Sequence, residues 1–248
     1  MLTTMTATEA TFAEAERLLA SAEFQDCRTL WYSSNYVYLA QLCHEGSTFA
    51  AVYKPYRGES PLWDFPDGLY RREVAAYRLS RLLDWPLVPP TVVREEGPHG
   101  VGSMQLYIPH NPESHFFTQR EDPELVPQLK QMAVFDYLAN NADRKGGHCL
   151  LAEERHIWGI DHGLCFHDTY KMRTVIWDWA EQPIPRGCLD EVEALRTKLV
   201  EADDAVLSLA ELLAPAEISA LIQRATKLLQ SRVMPSPGPH RSYPWPLV

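Results

Sequence analysis

The spacing of apolar residues along the chain changes character about halfway through. In residues 7–22, apolar side chains recur every three to four positions behind a Thr-x-x-Glu start, which predicts an amphipathic helix. From residue 28 to residue 55 the pattern becomes β-branched and aromatic runs separated by short polar turns, which predicts an antiparallel meander of three strands. The three runs are Leu30–Tyr32, Tyr36–Leu39 and Thr48–Tyr53.

A second helix and two further strands are expected after the meander. Asp67 is placed to cap a helix whose apolar stripe continues through Asp84, and a cluster of prolines just beyond ends it. Extended runs at 91–94 and 102–108 flank a turn-like Glu-Gly-Pro-His-Gly segment. The first half of the chain is therefore predicted to be a sheet with one helix.

The second half is predicted to be mainly helical. Its helices are expected at residues 123–140, 189–201, 205–213 and 215–232, with a short hairpin made by 149–151 and 157–160. Residues 234–248 hold five prolines, too many for regular structure, and are expected to drape over a lobe or to be loose. The predicted fold class is α+β, with an N-terminal helix (1–24), a strand-rich lobe (25–108), a helical lobe (109–232) and a proline-rich tail (233–248).

Composition limits the classes of function. A chain of 248 residues, 46% of them hydrophobic, can bury a substantial core. The net charge of −10 argues against general affinity for nucleic acid or anionic membranes, which need a basic footprint, and leaves only a local trio, Lys171, Arg173 and Arg186. Five cysteines without CxxC spacing favour reduced thiols and a cytoplasmic protein. With no leader-like start and no long apolar run, no integral membrane association is expected.

Two short polar motifs carry the candidate chemistry, and they lie at the junction of the two halves. The first is Asn-Ala-Asp-Arg-Lys-Gly-Gly-His, which contains Asp143 and, five residues later, His148. The second is Gly-Ile-Asp-His-Gly, which contains Asp161 and follows the apolar hairpin. A carboxylate for the acceptor hydroxyl, followed by two potential metal ligands, is the arrangement that phosphoryl transfer requires.

The strand-rich half supplies candidates for binding nucleotide phosphates. Lys54 ends the third predicted strand, where its amine can reach a cleft, and Glu73 in the next helix is its natural partner. Between the first two strands, Ser33, Ser34 and Asn35 would cover the phosphates through small side chains and backbone N–H groups. Ser-Ser-Asn is equally an ordinary hairpin turn.

The polar loop of the helical half supplies candidates for catalysis and metal binding. Asp143 is expected to orient, and to help deprotonate, the acceptor hydroxyl, while Arg144 pairs with a cleft carboxylate. Lys145 faces either the phosphates or solvent. His148 and Asp161 are the expected ligands of Mg²⁺ or Mn²⁺, and an imidazole in place of an amide oxygen favours Mn²⁺.

These motifs resemble the phosphatidylinositol 3- and 4-kinase-like branch of the protein-kinase fold, including bacterial proteins labelled phosphatidylinositol kinases. The resemblance covers about residues 30–232 and is carried by five stretches, Val52–Pro55, Pro61–Pro66, Arg72–Tyr77, Asn140–His148 and Trp158–Gly163. It implies a bilobal kinase that uses ATP, with Lys54 and Glu73 as the nucleotide-binding pair and Asp143 as the catalytic-loop aspartate. It also implies that Gln105, Tyr107 and Ile108 belong to the hinge whose backbone meets adenine.

Three interpretations stay open at this point. The first is an ATP-dependent phosphotransferase acting on a small molecule or a protein, with AMP transfer as a variant. The second is a nucleotide-binding pseudokinase or regulatory module, because His148 stands where asparagine is expected and the phosphate loop lacks glycine. The third is a metal-dependent hydrolase built on residues that share ligand chemistry: His148, Asp161, His162, His167 and Asp168.

Overall fold

A computed structural model describes residues 9–30, 35–201, 204–238 and 241–248 of the chain. The helices are α1 (Glu9–Ser21), α2 (Leu69–Leu82), α3 (Phe116–Gln119), α4 (Val126–Ala139), α5 (Arg186–Glu201), α6 (Asp204–Ala210) and α7 (Pro215–Ser231). The strands are β1 (Glu23–Leu30), β2 (Val37–His44), β3 (Ser47–Pro55), β4 (Thr91–Arg94), β5 (Gly102–Leu106), β6 (Cys149–Leu151) and β7 (Ile157–Gly159). Strands with two helices precede a helical half, as the sequence predicted.

The N-terminal lobe is one antiparallel sheet in the order β1-β2-β3-β5-β4. Successive side chains of a strand point to opposite faces, so Tyr53 and Lys54 face different ways. Tyr53 packs with Met104 of β5 and with Leu19 of α1 in one buried cluster. Helix α1 therefore covers one face of the sheet, and Lys54 projects from the other.

The C-terminal lobe is built around helix α4. This helix is buried on almost its whole circumference from Met132 onward, so it packs as a central element. The amphipathic helix α7 packs beside it, and helix α5 packs against α7. The β6-β7 hairpin lies beside the start of α4, where the N–H of Ile157 donates to Oε1 of Gln128 at 2.9 Å. Asn140 ends α4 in a left-handed conformation, which asparagine tolerates well, and turns the chain into the polar loop of residues 141–148.

Two predictions about the N-terminal lobe need correction. Strand β1 begins at Glu23, well before the predicted Leu30–Tyr32 run, of which residues 31 and 32 lie outside the described residues. Its early start was missed because an edge strand with mostly exposed side chains has little apolar periodicity. Asp67 does not cap α2; the helix starts behind Gly68, which has a left-handed φ of 86°. The N–H groups of residues 68, 69 and 70, which have no acceptor within the helix, donate to the carboxylate of Glu59 at 3.0, 2.9 and 2.7 Å.

The described part of the proline-rich tail lies across the C-terminal lobe, which agrees with one of the two expectations for it. The carbonyl of Ser242 accepts hydrogen bonds from the Thr174 N–H and the Trp177 indole, both at 3.1 Å. The carbonyl of Leu247 accepts from the N–H of Gly146 at 2.7 Å. Within the described residues, no helix combines the length and apolar composition needed to cross a bilayer.

We expect Glu59→Ala to lower the free energy of unfolding by about 1–2 kcal/mol, because it leaves three N–H groups at the start of α2 without their acceptor and removes an anion from the positive end of the helix. Urea unfolding followed by tryptophan fluorescence measures the change. Asp67→Ala is the matched control and should cost less than about 0.5 kcal/mol. Equal losses in the two variants would contradict the capping role of Glu59.

Candidate active site

The cleft between the lobes is organised by the amine of Lys54. Its Nζ lies 2.5 Å from Oε1 of Glu73 in α2 and 2.9 Å from Oδ1 of Asp161 in the C-terminal lobe. The side chain is 21% exposed, and Glu73 is almost completely buried. Burial alone would lower the pKa of Lys54, but Asp161 and Glu73 outweigh it, so the pKa is raised and the amine stays charged.

The segment that carries Asp161 lies directly on helix α2. The N–H of His162 donates to Oε2 of Glu73 at 2.9 Å, so one carboxylate holds both Lys54 and this segment. A Cβ added to Gly163 would lie 3.4 Å from Oε1 of Glu73, so this glycine lies in van der Waals range of the same carboxylate. Asp161 itself has a φ of 60°, a region that costs energy for a non-glycine residue and is found at functional sites.

Asp161 and His148 form a carboxylate–imidazole pair at the mouth of the cleft. Oδ2 of Asp161 lies 3.3 Å from Nε2 of His148, while its other oxygen contacts Lys54. The charge of Lys54 lowers the pKa of Asp161, so this half-exposed carboxylate is ionised. Burial lowers the pKa of His148 to about 4, so the imidazole is neutral at pH 7 and carries a lone pair.

The donor set of this pair fits a divalent cation in type, since neutral imidazole and carboxylate are both common metal ligands. One condition follows from the hydrogen bonds. The N–H of Lys145 donates to Nδ1 of His148 at 3.3 Å, which places the ring proton on Nε2, facing Asp161. A cation bound by Nε2 therefore requires that proton to move to Nδ1.

Asp143 lies on the adjacent loop, with its side chain 26% exposed. Its N–H is held by Oδ1 of Asn141 at 3.0 Å, and its carboxylate lies 3.2 Å from Nζ of Lys145. Burial raises the pKa of Asp143, against the opposing effect of Lys145. A carboxylate whose pKa is raised toward neutrality is better matched to accepting a proton from a hydroxyl.

Arg144 lies behind the loop rather than in the cleft. It is completely buried and makes a two-pronged ion pair with Asp136 of α4, with Nε and Nη2 each 2.9 Å from a carboxylate oxygen. Its other N–H groups reach Nε2 of His162 at 2.7 Å and the carbonyl of Ile160 at 2.9 Å. The predicted pairing with a cleft carboxylate is wrong, because the partner is buried; Arg144 is a positioning residue that joins both polar motifs.

Only some of the remaining predicted nucleotide contacts lie within the described residues. Ser33 and Ser34 lie outside the described residues. Asn35 accepts the N–H of Ser60 at 2.8 Å, so it ties the start of β2 to the loop before α2. Gln105 is buried and donates to Thr91 across strands β4 and β5.

The other two hinge candidates form the connection between the lobes. The N–H of Tyr107 donates to the carbonyl of Ala50 at 3.1 Å, which continues the sheet past the end of β5. The carbonyl of Ile108 lies 2.8 Å from Nδ1 of His110. The hinge backbone therefore runs beside β3, the strand that carries Lys54.

The residues of the hydrolase interpretation are not assembled into one centre. The described part of the chain contains no group of three or more His, Cys, Asp or Glu side chains placed to hold a metal ion. His162 is turned toward Arg144, and His167 pairs with its neighbour Asp168 at 3.0 Å. Of these five residues, only His148 and Asp161 form a pair from separate motifs, which suits a site completed by a ligand's own oxygens.

Sequence reasoning missed the acidic residues that hold the site from behind. Asp136 lies in the apolar stripe of the helix predicted at 123–140, and a charge in such a stripe signals a buried ionic partner. Asn141 links the same carboxylate to the loop, with its Nδ2 2.9 Å from Asp136. Glu59 and Glu217 gave no local signal, because their partners are distant in the sequence.

Comparison with known proteins identifies relatives of the whole chain. The sequence model described as "Phosphatidylinositol 3- and 4-kinase" matches residues 78–210. The chain is 39% identical to Protein Rv2133c of Mycobacterium tuberculosis, covering 92% of this chain and 94% of that protein. It is 30% identical to Phosphatidylinositol 4-kinase gamma 4 of Oryza sativa subsp. japonica over 57% of this chain, but it covers only 31% of the rice protein.

Solved structures with a similar fold include two kinases. The structure is similar to that of the Golgi casein kinase with Mn/ADP bound, with a TM-score of 0.63 at 14% identity, covering 98% of this chain and 81% of that one. It is also similar to the Helicobacter pylori proinflammatory kinase CtkA, with a TM-score of 0.54 at 12% identity, covering 87% and 94% of the two chains. At these identities the likeness concerns the fold, and it confirms the predicted bilobal kinase-like architecture.

We expect Arg144→Leu to lower the free energy of unfolding by about 3–5 kcal/mol, because it leaves Asp136 as an unpaired charge in the core. Lys145→Ala, at the next position but partly exposed, should cost less than about 1 kcal/mol. Urea titration of both variants provides the comparison. A loss below about 1 kcal/mol for Arg144→Leu would show that the buried pair does not hold the loop.

Proposed function

We propose that this chain, which belongs to the phosphatidylinositol 3- and 4-kinase family, is an ATP-dependent phosphotransferase whose acceptor is a small molecule or a protein. One observation supports the proposal most directly. Lys54 of the sheet and Asp161 of the helical lobe, 107 residues apart in sequence, meet at 2.9 Å inside the cleft. A cation next to a potential metal ligand is what a triphosphate requires for charge neutralisation.

In this proposal each cleft residue has one task. The ammonium of Lys54, held extended by Glu73, binds phosphate oxygens. His148 and Asp161 would hold Mg²⁺ or Mn²⁺, which would supply positive charge to neutralise the phosphates. Asp143 orients the acceptor hydroxyl and accepts its proton, while Lys145 beside it screens the phosphates from that carboxylate.

The nucleotide contacts of the N-terminal lobe complete the proposal. The backbone near Gln105, Tyr107 and Ile108 would meet the adenine, because it leads from β5 into the connection between the lobes, beside the strand that carries Lys54. Ser33, Ser34 and Asn35 would cover the phosphates from the β1-β2 turn. The acceptor hydroxyl would approach from the side of the polar loop, where Asp143 is partly exposed.

A nucleotide-binding pseudokinase is the second candidate, and one contact favours it. Asp161 already has both oxygens engaged, with Lys54 on one and His148 on the other. These groups must separate before phosphate oxygens and a cation can enter between them. A protein in which this internal pairing persists would bind nucleotide without placing its phosphates between Lys54, Asp161 and a cation, and therefore without turning it over.

We expect Asp161→Asn to abolish phosphate release or transfer from ATP, because the neutral amide removes the charge that balances the cation, and Asp143→Asn to lower the rate about 10²–10⁴-fold. Incubating the purified chain with radiolabelled ATP and Mg²⁺ or Mn²⁺ measures turnover. Asp168→Asn makes the same change on an exposed loop and should leave the rate unchanged.

The same assay distinguishes the alternatives. Thermal stabilisation by ATP with no turnover under any metal would favour the pseudokinase. Intact-mass measurement of the products separates a gain of phosphate from a gain of AMP. Equal turnover in wild type and Asp161→Asn would contradict the proposed metal-assisted mechanism.

We expect His148→Asn to shift the metal preference from Mn²⁺ toward Mg²⁺, because an amide oxygen is a harder ligand than an imidazole nitrogen. The measured quantity is the ratio of turnover with Mn²⁺ to turnover with Mg²⁺, which should fall at least severalfold. His167→Asn is the control and should leave this ratio unchanged. An unaltered ratio in His148→Asn would remove His148 from the proposed metal site.

A further inference from the structure

Residues 72 and 73 of helix α2 hold two ends of the segment that follows Asp161. Glu73 accepts the N–H of His162 at 2.9 Å. Arg72, its neighbour, donates from Nη1 to the carbonyl of Cys165. The five residues from Asp161 to Cys165 are therefore clasped by two adjacent side chains of one helix.

Arg72 is itself held by the far side of the C-terminal lobe. Its Nη2 lies 2.5 Å from Oε1 of Glu217, and the two residues are only 4% and 8% exposed. The other oxygen of Glu217 accepts the N–H of Ala214 at 2.9 Å, in the first turn of α7. Arg72 and Glu217 thus pair with each other, and each also binds one backbone group. The junction is rigid, because separating the two buried charges would leave each without a partner.

Helix α7 is in turn fixed to the helix that precedes the polar loop. Arg224 donates from Nε to the carbonyl of Leu138 at 2.8 Å, close to the end of α4. The contacts form a continuous path from α4 through α7 to α2. Helix α2, although it lies between strands β3 and β4 of the N-terminal sheet in sequence, is also anchored to the C-terminal lobe.

We propose that Arg72 and Glu217 form a latch that keeps helix α2 seated on the Asp161 segment and thereby positions Lys54, Glu73 and Asp161 to bind nucleotide phosphates. Both are positioning residues, since neither contacts the cleft groups that would touch the nucleotide. The effect on nucleotide binding rests on the proposed function, whereas the effect on the segment itself does not. If α2 lies on the Asp161 segment in only a fraction of the molecules, the apparent affinity for nucleotide falls in proportion to that fraction.

Hydrogen–deuterium exchange of the full chain without nucleotide tests the latch directly. We expect Arg72→Met and Glu217→Gln to speed exchange of the amides in residues 162–165 about tenfold or more, because the clasp on this segment opens locally. Arg72→Lys, which keeps the charge but loses the forked geometry, should fall between these variants and wild type. Glu217→Gln keeps the shape of its side chain and an acceptor for Ala214, so it remains informative should Arg72→Met fail to fold.

Glu16→Gln is the matched control, because Glu16 binds the same helix from α1, through Tyr77 at 2.6 Å and Arg78 at 3.5 Å. It should leave exchange of residues 162–165 unchanged, even if it lowers the thermal midpoint as much as Glu217→Gln. Unaltered exchange of this segment in Glu217→Gln, or equal acceleration in Glu16→Gln, would overturn the latch.

Titration with Mn²⁺ and ADP measures the consequence for the cleft. We expect the dissociation constant to rise about tenfold in Arg72→Met and Glu217→Gln and to stay within about twofold of wild type in Glu16→Gln. Faster exchange without any change in the dissociation constant would overturn the link to nucleotide binding. If wild type binds no nucleotide, the proposed function fails, and the exchange experiment still decides whether the latch exists.

Discussion

A buried amine that needs compensating charge holds the two lobes in register. Lys54 projects from the sheet into a place where water is scarce, and an unpaired ammonium there would be costly. One carboxylate comes from helix α2 and the other from the loop after β7, so the sheet, the helix and the C-terminal lobe must meet at one point. The geometry of the cleft follows from this electrostatic requirement.

A second buried cation supports the first from behind. Arg144 joins α4, the polar loop and the Asp161 segment through one guanidinium, and its five donors fit a forked set of acceptors that a lysine could not satisfy. The two cations differ in position. Lys54 borders the cleft and is available for ligands, whereas Arg144 is sealed within the protein and fixes the backbone that presents Asp143, His148 and Asp161. A ligand can thus replace the partners of Lys54 while the contacts of Arg144 stay in place.

The sequence was sufficient for those features that depend on local pattern. Helices α4, α5 and α7 and the β6-β7 hairpin lie close to their predicted ranges, because apolar periodicity and polar turns specify them. The meeting of Lys54, Glu73 and Asp161 was also anticipated, since motif order implied a shared cleft. Edge strand β1 was misplaced, because exposed alternation carries little apolar signal.

Long-range pairs escaped prediction for a different reason. The cap of α2 comes from Glu59 and the counter-charge of Arg72 from Glu217, and neither spacing has a local rule. Arg144 was assigned to the cleft because its neighbours are polar, while its actual surroundings depend on how α4 packs. Such pairings become visible only when the chain has been folded.

The hydrogen bond from Gly146 to the carbonyl of Leu247 has a bearing on how the protein is made. The polar loop leaves the ribosome about a hundred residues before Leu247, which accepts one of its backbone hydrogen bonds. Contacts between residues so far apart in the sequence form late in folding. A nascent chain can therefore carry a nearly finished cleft whose loop still lacks one of its fixed points. Full rigidity of the loop that carries Asp143 thus belongs to a late stage of folding, because one of its backbone hydrogen bonds depends on a partner about a hundred residues away in the sequence.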